Sequence, residues 1–209
     1  MLRLFETRTG QVVGVRPGPL KLYVQQPDDL RVCLTADLLR RLAPRLRRRT
    51  LTTAAHDVDH TPWNIPPLHG GDPLPGSLSV GNVTSATEVA VAEWTAPPGD
   101  PLAVRLLLLS VHYRAEARIG PESLAGAESR LDAWRRDIAR WGTTTARPLH
   151  QPTADRAIAA LCEDLDAPAA LAVLDDLAAS DLEPGAKFET AVHLDLVFGL
   201  DLVRDLGKY

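Results

Sequence analysis

Short alternating stretches of apolar and polar residues open the chain, and helical periodicity dominates its second half. Strands are predicted over residues 2–5, 11–15, 20–24 and 51–55, because each is rich in strand-forming residues and is bounded by turn residues or charge clusters. A helix is predicted over 33–42, with Thr35 or Asp37 near its start and Pro44 at or just beyond its end.

A strongly apolar helix is predicted from Asp100 onward, and its start is encoded locally. The Asp100 carboxylate can accept hydrogen bonds from the first free N–H groups, and Pro101 suits the first helical position. Residues 106–109 are all leucine, which predicts burial on several sides, although the run is far too short to span a bilayer. The His-Tyr-Arg at 112–114 ends this stretch and needs polar partners.

The clearest helix is predicted over 121–141. Apolar residues lie along it at alternating spacings of three and four, and they form one stripe that contains Leu124, Ala127, Leu131, Trp134, Ile138 and Trp141. Such a stripe packs either within the chain or on a partner. Large exposed apolar patches usually mark interfaces. We therefore expect an interface formed by Leu124, Leu131, Trp134, Ile138 and Trp141.

Further helices are predicted over 155–165, 168–177 and 185–200, and a short helix over 86–94 follows a Ser-Ala-Thr-Glu capping box. Residues 61–83 are rich in Pro, Gly and Ser and are interpreted as a linker. The predicted domains are an α/β piece over 1–60, a linker over 61–84 and a helical domain over 85–209. The predicted fold class is α+β and mainly helical.

The composition, with 45% hydrophobic and 24% charged residues, is ordinary for a globular protein. No signal peptide is recognisable, and Cys33 and Cys162 form no metal or redox motif, so we expect a reduced, cytoplasmic protein.

The net charge of −4 conceals an asymmetry, because residues 1–50 carry eleven basic and four acidic side chains. A basic cluster, Arg45, Arg47, Arg48 and Arg49, could contact nucleic acid or a partner, with a solvated face as the simpler interpretation.

Residues 100–131, which include the His-Tyr-Arg, resemble the segment that follows the signature loop of cysteinyl-tRNA synthetases and of their relative, the mycothiol cysteine ligase. Residues 2–24 resemble the opening of that family. Residues 53–60 resemble its Asn-Val-Thr-Asp-Val-Asp-Asp segment, and residues 161–171 resemble its Asp-Asp-Leu-(Asp/Asn)-Thr-Pro-Lys-Ala helix junction. The resemblance implies a remnant of a class I synthetase nucleotide fold followed by a helical region.

Several catalytic groups of the family are replaced in this chain. The Lys-Met-Ser-Lys-Ser loop and the Gly-Asn after it align with residues 75–82, where Ser77, Ser79, Gly81 and Asn82 are kept. Pro75 and Leu78 occupy the two lysine places. In the family those lysines stabilise charge on the triphosphate, and such electrostatic stabilisation is usually the largest catalytic contribution. Gln25 holds the place of a zinc-ligating cysteine, and no His-Ile-Gly-His-type signature follows it.

Residues 56–60, His-Asp-Val-Asp-His, bring four potential metal ligands together in the sequence. Strand alternation would put the histidines and the aspartates on opposite faces, whereas a turn could gather them. His56 and His60 are the metal candidates, although no bound zinc is expected because the cluster lacks cysteine.

The replacements predict a truncated, degenerate homologue without amino-acid activation, acting as a binding or scaffold protein with no catalytic residue and no cofactor. A protein partner or a homodimer is expected, and a membrane is not. One alternative is an ATP-dependent cysteine ligase with a residual or partner-completed active site, which would require ATP and zinc. Another is an RNA-binding module, although no anticodon-reading domain is recognisable for tRNA.

Overall fold

The computed structural model describes residues 1–6, 9–81, 100–117 and 119–208. Its strands are β1 (Arg3–Glu6), β2 (Gln11–Gly14), β3 (Leu20–Val24), β4 (Thr50–Ala54) and β5 (Leu78–Val80). Its helices are α1 (Leu30–Leu42), α2 (Pro101–Leu109), α3 (Pro121–Trp141), α4 (Gln151–Cys162), α5 (Ala167–Ala179) and α6 (Pro184–Phe198). These elements confirm the α+β, mainly helical fold class. The helix predicted at 86–94 lies outside the described residues.

The strands form two small sheets. β1 and β2 make an antiparallel hairpin, and β3 lies between β4 and β5 in a parallel sheet. Alternate residues of β3, namely Leu20, Leu22 and Val24, are buried. Parallel strands need crossover connections, and α1 provides the one between β3 and β4 while it packs against the sheet.

Helix α1 begins earlier than predicted because its cap lies at Asp29. The Asp29 carboxylate accepts hydrogen bonds from the backbone N–H groups of Arg31, at 2.8 Å, and Val32, at 3.3 Å. Thr35 and Asp37, which we expected near the start, therefore lie inside the helix. A carboxylate cap at Asp29 satisfies two N–H groups that would otherwise have no partner.

The interpretation of residues 61–83 as a linker needs correction at both of its ends. Thr61–Trp63 forms a 3₁₀ helix, and Leu78–Val80 is β5, which pairs with β3 in parallel register. Ala54 and Gly70 also form an isolated bridge, so this segment follows the sheet closely. The segment that resembles the family's signature loop is thus partly a sheet strand.

Helix α2 ends at Leu109, before the His-Tyr-Arg. The Ser110 hydroxyl donates to the Leu106 carbonyl at 2.8 Å and closes the last turn. Helix α4 begins four residues earlier than predicted, at Gln151, because Pro152 is tolerated in the first turn. Among the described residues, no helix is both long and apolar enough to cross a bilayer.

The stripe on α3 lies inside this chain. Leu124, Leu131, Trp134 and Ile138 are at most 8% exposed, and Trp141 packs, half-buried, on the same core. The indole Nε1 of Trp134 donates to Asp175 on α5 at 3.0 Å. The expectation that this stripe is an exposed interface is therefore wrong, because α2 and α6 pack against the helix that carries it.

Two buried arginines tie elements together: Arg105 connects the helical region to α1, and Arg135 connects parts of the helical region to one another. Arg105 on α2 donates to Asp37 on α1 at 2.7 Å and to the Phe198 carbonyl at the end of α6 at 2.6 Å. Arg135 on α3 pairs with the Asp100 cap and donates to the Leu200 carbonyl. These charges are nearly inaccessible to water, so they must be paired.

Candidate functional site

Residues 75–81 occupy the free edge of the parallel sheet within the described part of the chain. Gly76 adopts a φ of +74°, which allows the tight turn that enters β5. Leu78, half-buried, and Val80, buried, lie on the same face of the sheet, whereas Ser79 on the other face is exposed. Asn82 lies outside the described residues. The two lysine places of the family thus correspond here to a turn proline and a strand leucine.

Lys21 on β3 brings a cation to this segment from another part of the sequence. Its Nζ donates to the Pro75 carbonyl at 3.0 Å, so the ammonium lies beside one of the lost lysine positions. Lysine occurs only three times in the chain, but nothing in the local sequence indicated that Lys21 would reach this turn. The parallel register of β3 and β5 brings the two together.

The carboxyl end of the parallel sheet is occupied by amide side chains. An added Cβ at Gly81 would lie 2.4 Å from Oε1 of Gln25 and 3.0 Å from Oε1 of Gln26, so both amides approach this glycine closely. Gln25 holds the place of the family's zinc-ligating cysteine. An amide oxygen is a poor substitute for a thiolate on zinc, so these residues do not fit that metal.

The two histidine candidates are held apart by separate contacts. His56 Nε2 lies 3.0 Å from a carboxylate oxygen of Asp28, and His60 Nε2 lies 2.8 Å from the Pro27 carbonyl. Across the residues that the structure describes, no group of three or more His, Cys, Asp or Glu side chains is arranged to hold a metal ion. Whether the protein binds zinc stays a prediction to be tested.

Cys33, on α1 beside this edge, has little nucleophilic character. Its Sγ donates to the Pro27 carbonyl at 3.0 Å, and burial, together with the neighbouring aspartates, raises the pKa of the thiol to about 12. The thiolate is the reactive form of cysteine, so it is scarce at neutral pH.

A cavity of about 860 Å³ lies between β5, α1 and the β1–β2 hairpin. Its apolar lining includes Leu4, Val13, Val15, Leu20, Val32, Leu39, Leu78 and Val80. Five basic side chains, Arg16, Lys21, Arg31, Arg48 and Arg114, also line it, against two acidic ones, Glu6 and Glu116. Volume and lining are those of a small-molecule site. The cavity is basic although the whole chain carries a net charge of −4.

The far wall of the cavity is fixed by Asp164, which gathers the polar residues at 112–114. One carboxylate oxygen accepts from the Tyr113 hydroxyl at 2.6 Å and from the Phe5 N–H at 2.9 Å. The other lies 2.5 Å from Arg114 Nη2 and 3.8 Å from His112 Nε2. Burial and the bond to Asp164 raise the pKa of Tyr113, so it stays a neutral donor.

Asp164 itself adopts a φ of +56°, in the left-handed region, and its backbone N–H donates to the Arg3 carbonyl at 3.0 Å. The turn before α5 therefore holds both the hairpin and the His-Tyr-Arg. The sequence showed that the His-Tyr-Arg needed partners, and Asp164 lies in a segment that resembles the family, but their pairing became visible only in the structure.

The basic cluster is partly committed to internal contacts. Arg48 donates to the carbonyls of Gly18, at 2.7 Å, and Arg16, at 2.8 Å. Arg47 and Arg49 are exposed. Arg45 is half-buried, and its Nε has no acceptor in the described structure. Contact of these side chains with nucleic acid or a partner stays a prediction.

No family model matches the chain. It is similar to the L-cysteine:1D-myo-inositol 2-amino-2-deoxy-alpha-D-glucopyranoside ligase of Geodermatophilus obscurus, with 37% identity over 110 residues, covering 49% of this chain and 25% of the relative. The ligase of the same name from Acidothermus cellulolyticus is 36% identical over 127 residues, covering 60% and 29%. The protein called ligase 2 of the same name from Corynebacterium jeikeium is 35% identical over 158 residues, covering 73% of this chain and 35% of the relative. The chain spans about a quarter to a third of the length of these relatives.

Proposed function

We propose that this chain binds a small molecule without activating cysteine itself. The premise is that its aligned part belongs to the family of cysteinyl-tRNA synthetase-like cysteine ligases. The observation that carries the proposal is the signature segment at 75–81. There, Pro75 forms a turn and Leu78 is a strand residue facing an open cavity.

The absence of activation follows from charge. Transfer of an adenylyl group develops negative charge on the triphosphate, which needs preorganised donors and cations. Neither Pro75 nor Leu78 can supply them, and the Lys21 ammonium already donates to the Pro75 carbonyl. Gln25 in the thiolate place removes the zinc-ligand chemistry that the family uses for cysteine.

A binding role is supported by the cavity rather than by the α3 stripe. Most of the stripe is buried within the chain, and Trp141 is half-buried, so it offers a partner little exposed surface. The cavity lies at the edge of a parallel sheet, beside α1, and combines an apolar lining with basic side chains. A partner protein or a homodimer stays a proposal that would need another surface.

The second candidate function is that of an ATP-dependent cysteine ligase, which the names of the relatives favour. On this alternative Lys21 would move from Pro75 to phosphate, and a partner would complete the site. This alternative requires sites for ATP and for cysteine that the described residues do not form on their own.

Cysteine-dependent exchange between ATP and pyrophosphate separates the two functions. We expect none from the purified chain, under conditions in which the Geodermatophilus obscurus ligase gives a strong signal. Cysteine-dependent exchange that disappears on the change Lys21→Gln would overturn the proposal and support the ligase. A signal unchanged by Lys21→Gln is measured again after repurification: one that disappears came from a contaminating synthetase, and one that persists overturns the proposal.

A further inference from the structure

We infer that the cavity between β5, α1 and the hairpin binds an elongated organic anion, with its charged head at Arg31 and its apolar body along Leu39 and Leu78. The inference rests on the proposed binding role and adds the chemical class of the ligand. The shared chemistry is a carboxylate or a phosphate monoester on an apolar chain.

Among the described residues, Arg31 forms no direct ion pair, although the Asp29 carboxylate lies close enough to interact with its charge. Arg105 pairs with Asp37, Arg135 with Asp100 and Arg114 with Asp164. The half-buried Arg31 has only the His112 carbonyl, which accepts from Nη2 at 2.8 Å, and it forms no ion pair with any described residue.

The Arg31 guanidinium also has an unsatisfied donor. Its Nε is buried without a hydrogen-bond partner in the described structure. A buried donor that lacks an acceptor is costly. Burial lowers the pKa of Arg31, although nearby Asp29 opposes this shift. A bound anion would compensate the positive charge that burial in a low dielectric destabilises.

One face of α1 gives the site its length. Arg31, Thr35 and Leu39 all line the cavity and are spaced four residues apart, so they succeed one another along one side of the helix. From Arg31 to Leu39 the helix rises about 12 Å, at 1.5 Å per residue. On the α1 wall, polar side chains therefore give way to an apolar one in the direction away from Arg31.

The opposite wall follows the same order. α1 runs antiparallel to β3, so Arg31 lies near Val80 and Gly81, while Leu39 lies near Leu20 and Ser77. At that far end, Lys21 and Arg48 donate to backbone carbonyls and Arg16 is exposed to solvent. Arg31, by contrast, is half-buried and keeps a buried Nε without an acceptor among the described residues. This contrast assigns the anionic head to the Arg31 end.

Titration calorimetry of the full chain tests the assignment with decanoate, decyl phosphate and the neutral decanol. We expect saturable one-to-one binding of at least one anion, at least tenfold tighter than decanol at physiological salt. The tighter of the two anions identifies the preferred head group. Binding of all three with equal affinity, or of none, would overturn the inference.

Two charge-removing variants then locate the head. Arg31→Gln should weaken binding of the anion at least tenfold and leave decanol unchanged, whereas Lys21→Gln should change neither by more than about twofold. Arg147→Gln, which removes an exposed arginine paired with Glu183 away from the cavity, is the matched control. The reverse pattern, with loss on Lys21→Gln alone, would place the head at the far end and contradict the assignment.

A variant of the apolar wall tests the other half of the site. Leu78→Gln should weaken binding of both the anion and decanol, because it shortens the apolar lining. If Arg31→Gln does not fold, the comparison of anion with decanol on the unmodified chain decides the question alone. Pyrophosphate exchange is an independent readout, so activation together with anion binding would defeat the proposed function and leave this inference standing.

Discussion

Asp37 on α1 receives three arginines in a space nearly closed to water. Its two oxygens accept from Arg105 and Arg41, at 2.7 Å each, and from Arg40 at 2.6 Å. Burial pushes its pKa up, but the Arg105 and Arg41 guanidinium groups outweigh this, so the pKa of Asp37 lies below its usual value. The carboxylate is therefore ionised in the folded protein and holds α1 to α2.

Removal of this charge should destabilise the fold strongly. Asp37→Asn would leave the buried Arg105 without its counter-charge, a change that typically costs about 3–5 kcal/mol. The free energy of unfolding in urea measures it. Asp176→Asn, at an exposed pair with Arg156, is the control and should cost no more than about 1 kcal/mol. Equal losses in the two variants would show that the Asp37 network contributes little.

The same carboxylate predicts a dependence of stability on pH. A depressed pKa in the folded state contributes stability that is present above the ordinary carboxyl pKa of about 4 and is lost as the pH falls below it. Asp195 acts in the opposite sense, because burial raises its pKa. Unfolding free energies from pH 7 to pH 3 should therefore fall less in Asp37→Asn than in the unmodified chain. Parallel curves would contradict the assignment.

At the level of elements, the helices were the most predictable part. Helix α3 was predicted from Pro121 to Trp141 and forms over those residues, because a first-turn proline and a continuous apolar stripe define it locally. The start of α1 was missed by three residues, because Asp29 is a better cap than the residues chosen. The periodicity identified which face is apolar, but not what covers it.

Strand β5 and the Asp164 cluster show why the remainder could not be predicted. Leu78-Ser79-Val80 alternates like a strand, but its resemblance to a loop favoured the other interpretation, and the pairing partner β3 lies more than fifty residues earlier. Tyr113 and Asp164 are 51 residues apart in sequence. Such contacts depend on the tertiary fold, so single-sequence patterns do not reveal them.

The burial of the α3 stripe leads to a prediction about stability. Leu131→Ala should destabilise the protein by about 2–5 kcal/mol, because it removes a side chain that is 1% exposed. The exposed Ser129→Ala on the same helix should change stability by less than about 0.5 kcal/mol. Chemical denaturation monitored by circular dichroism measures both. If Leu131→Ala instead left stability intact and changed the oligomeric state in light scattering, the stripe would be an intermolecular interface after all.

At the scale of the whole molecule, the parts that resemble the family form one continuous hydrophobic core. The helical region is joined to α1 by the Arg105–Asp37 contact and to the β1–β2 hairpin by the contact of Asp164 with the Phe5 N–H. The signature segment therefore lies on a parallel sheet within this core, with Pro75 and Leu78 at its lysine places. A basic cavity beside altered signature residues is the combination on which the proposed binding role depends.

Direct detection of the adenylate tests the loss of cysteine activation most closely. The purified chain, at a concentration above that of labelled ATP, is mixed with cysteine and quenched in acid over a time course, with the Geodermatophilus obscurus ligase run in parallel. We predict that the relative accumulates cysteinyl-adenylate and that this chain forms none above the level seen without cysteine. Stoichiometric cysteinyl-adenylate formed by this chain alone would contradict the proposal that Pro75, Leu78 and Gln25 have abolished activation.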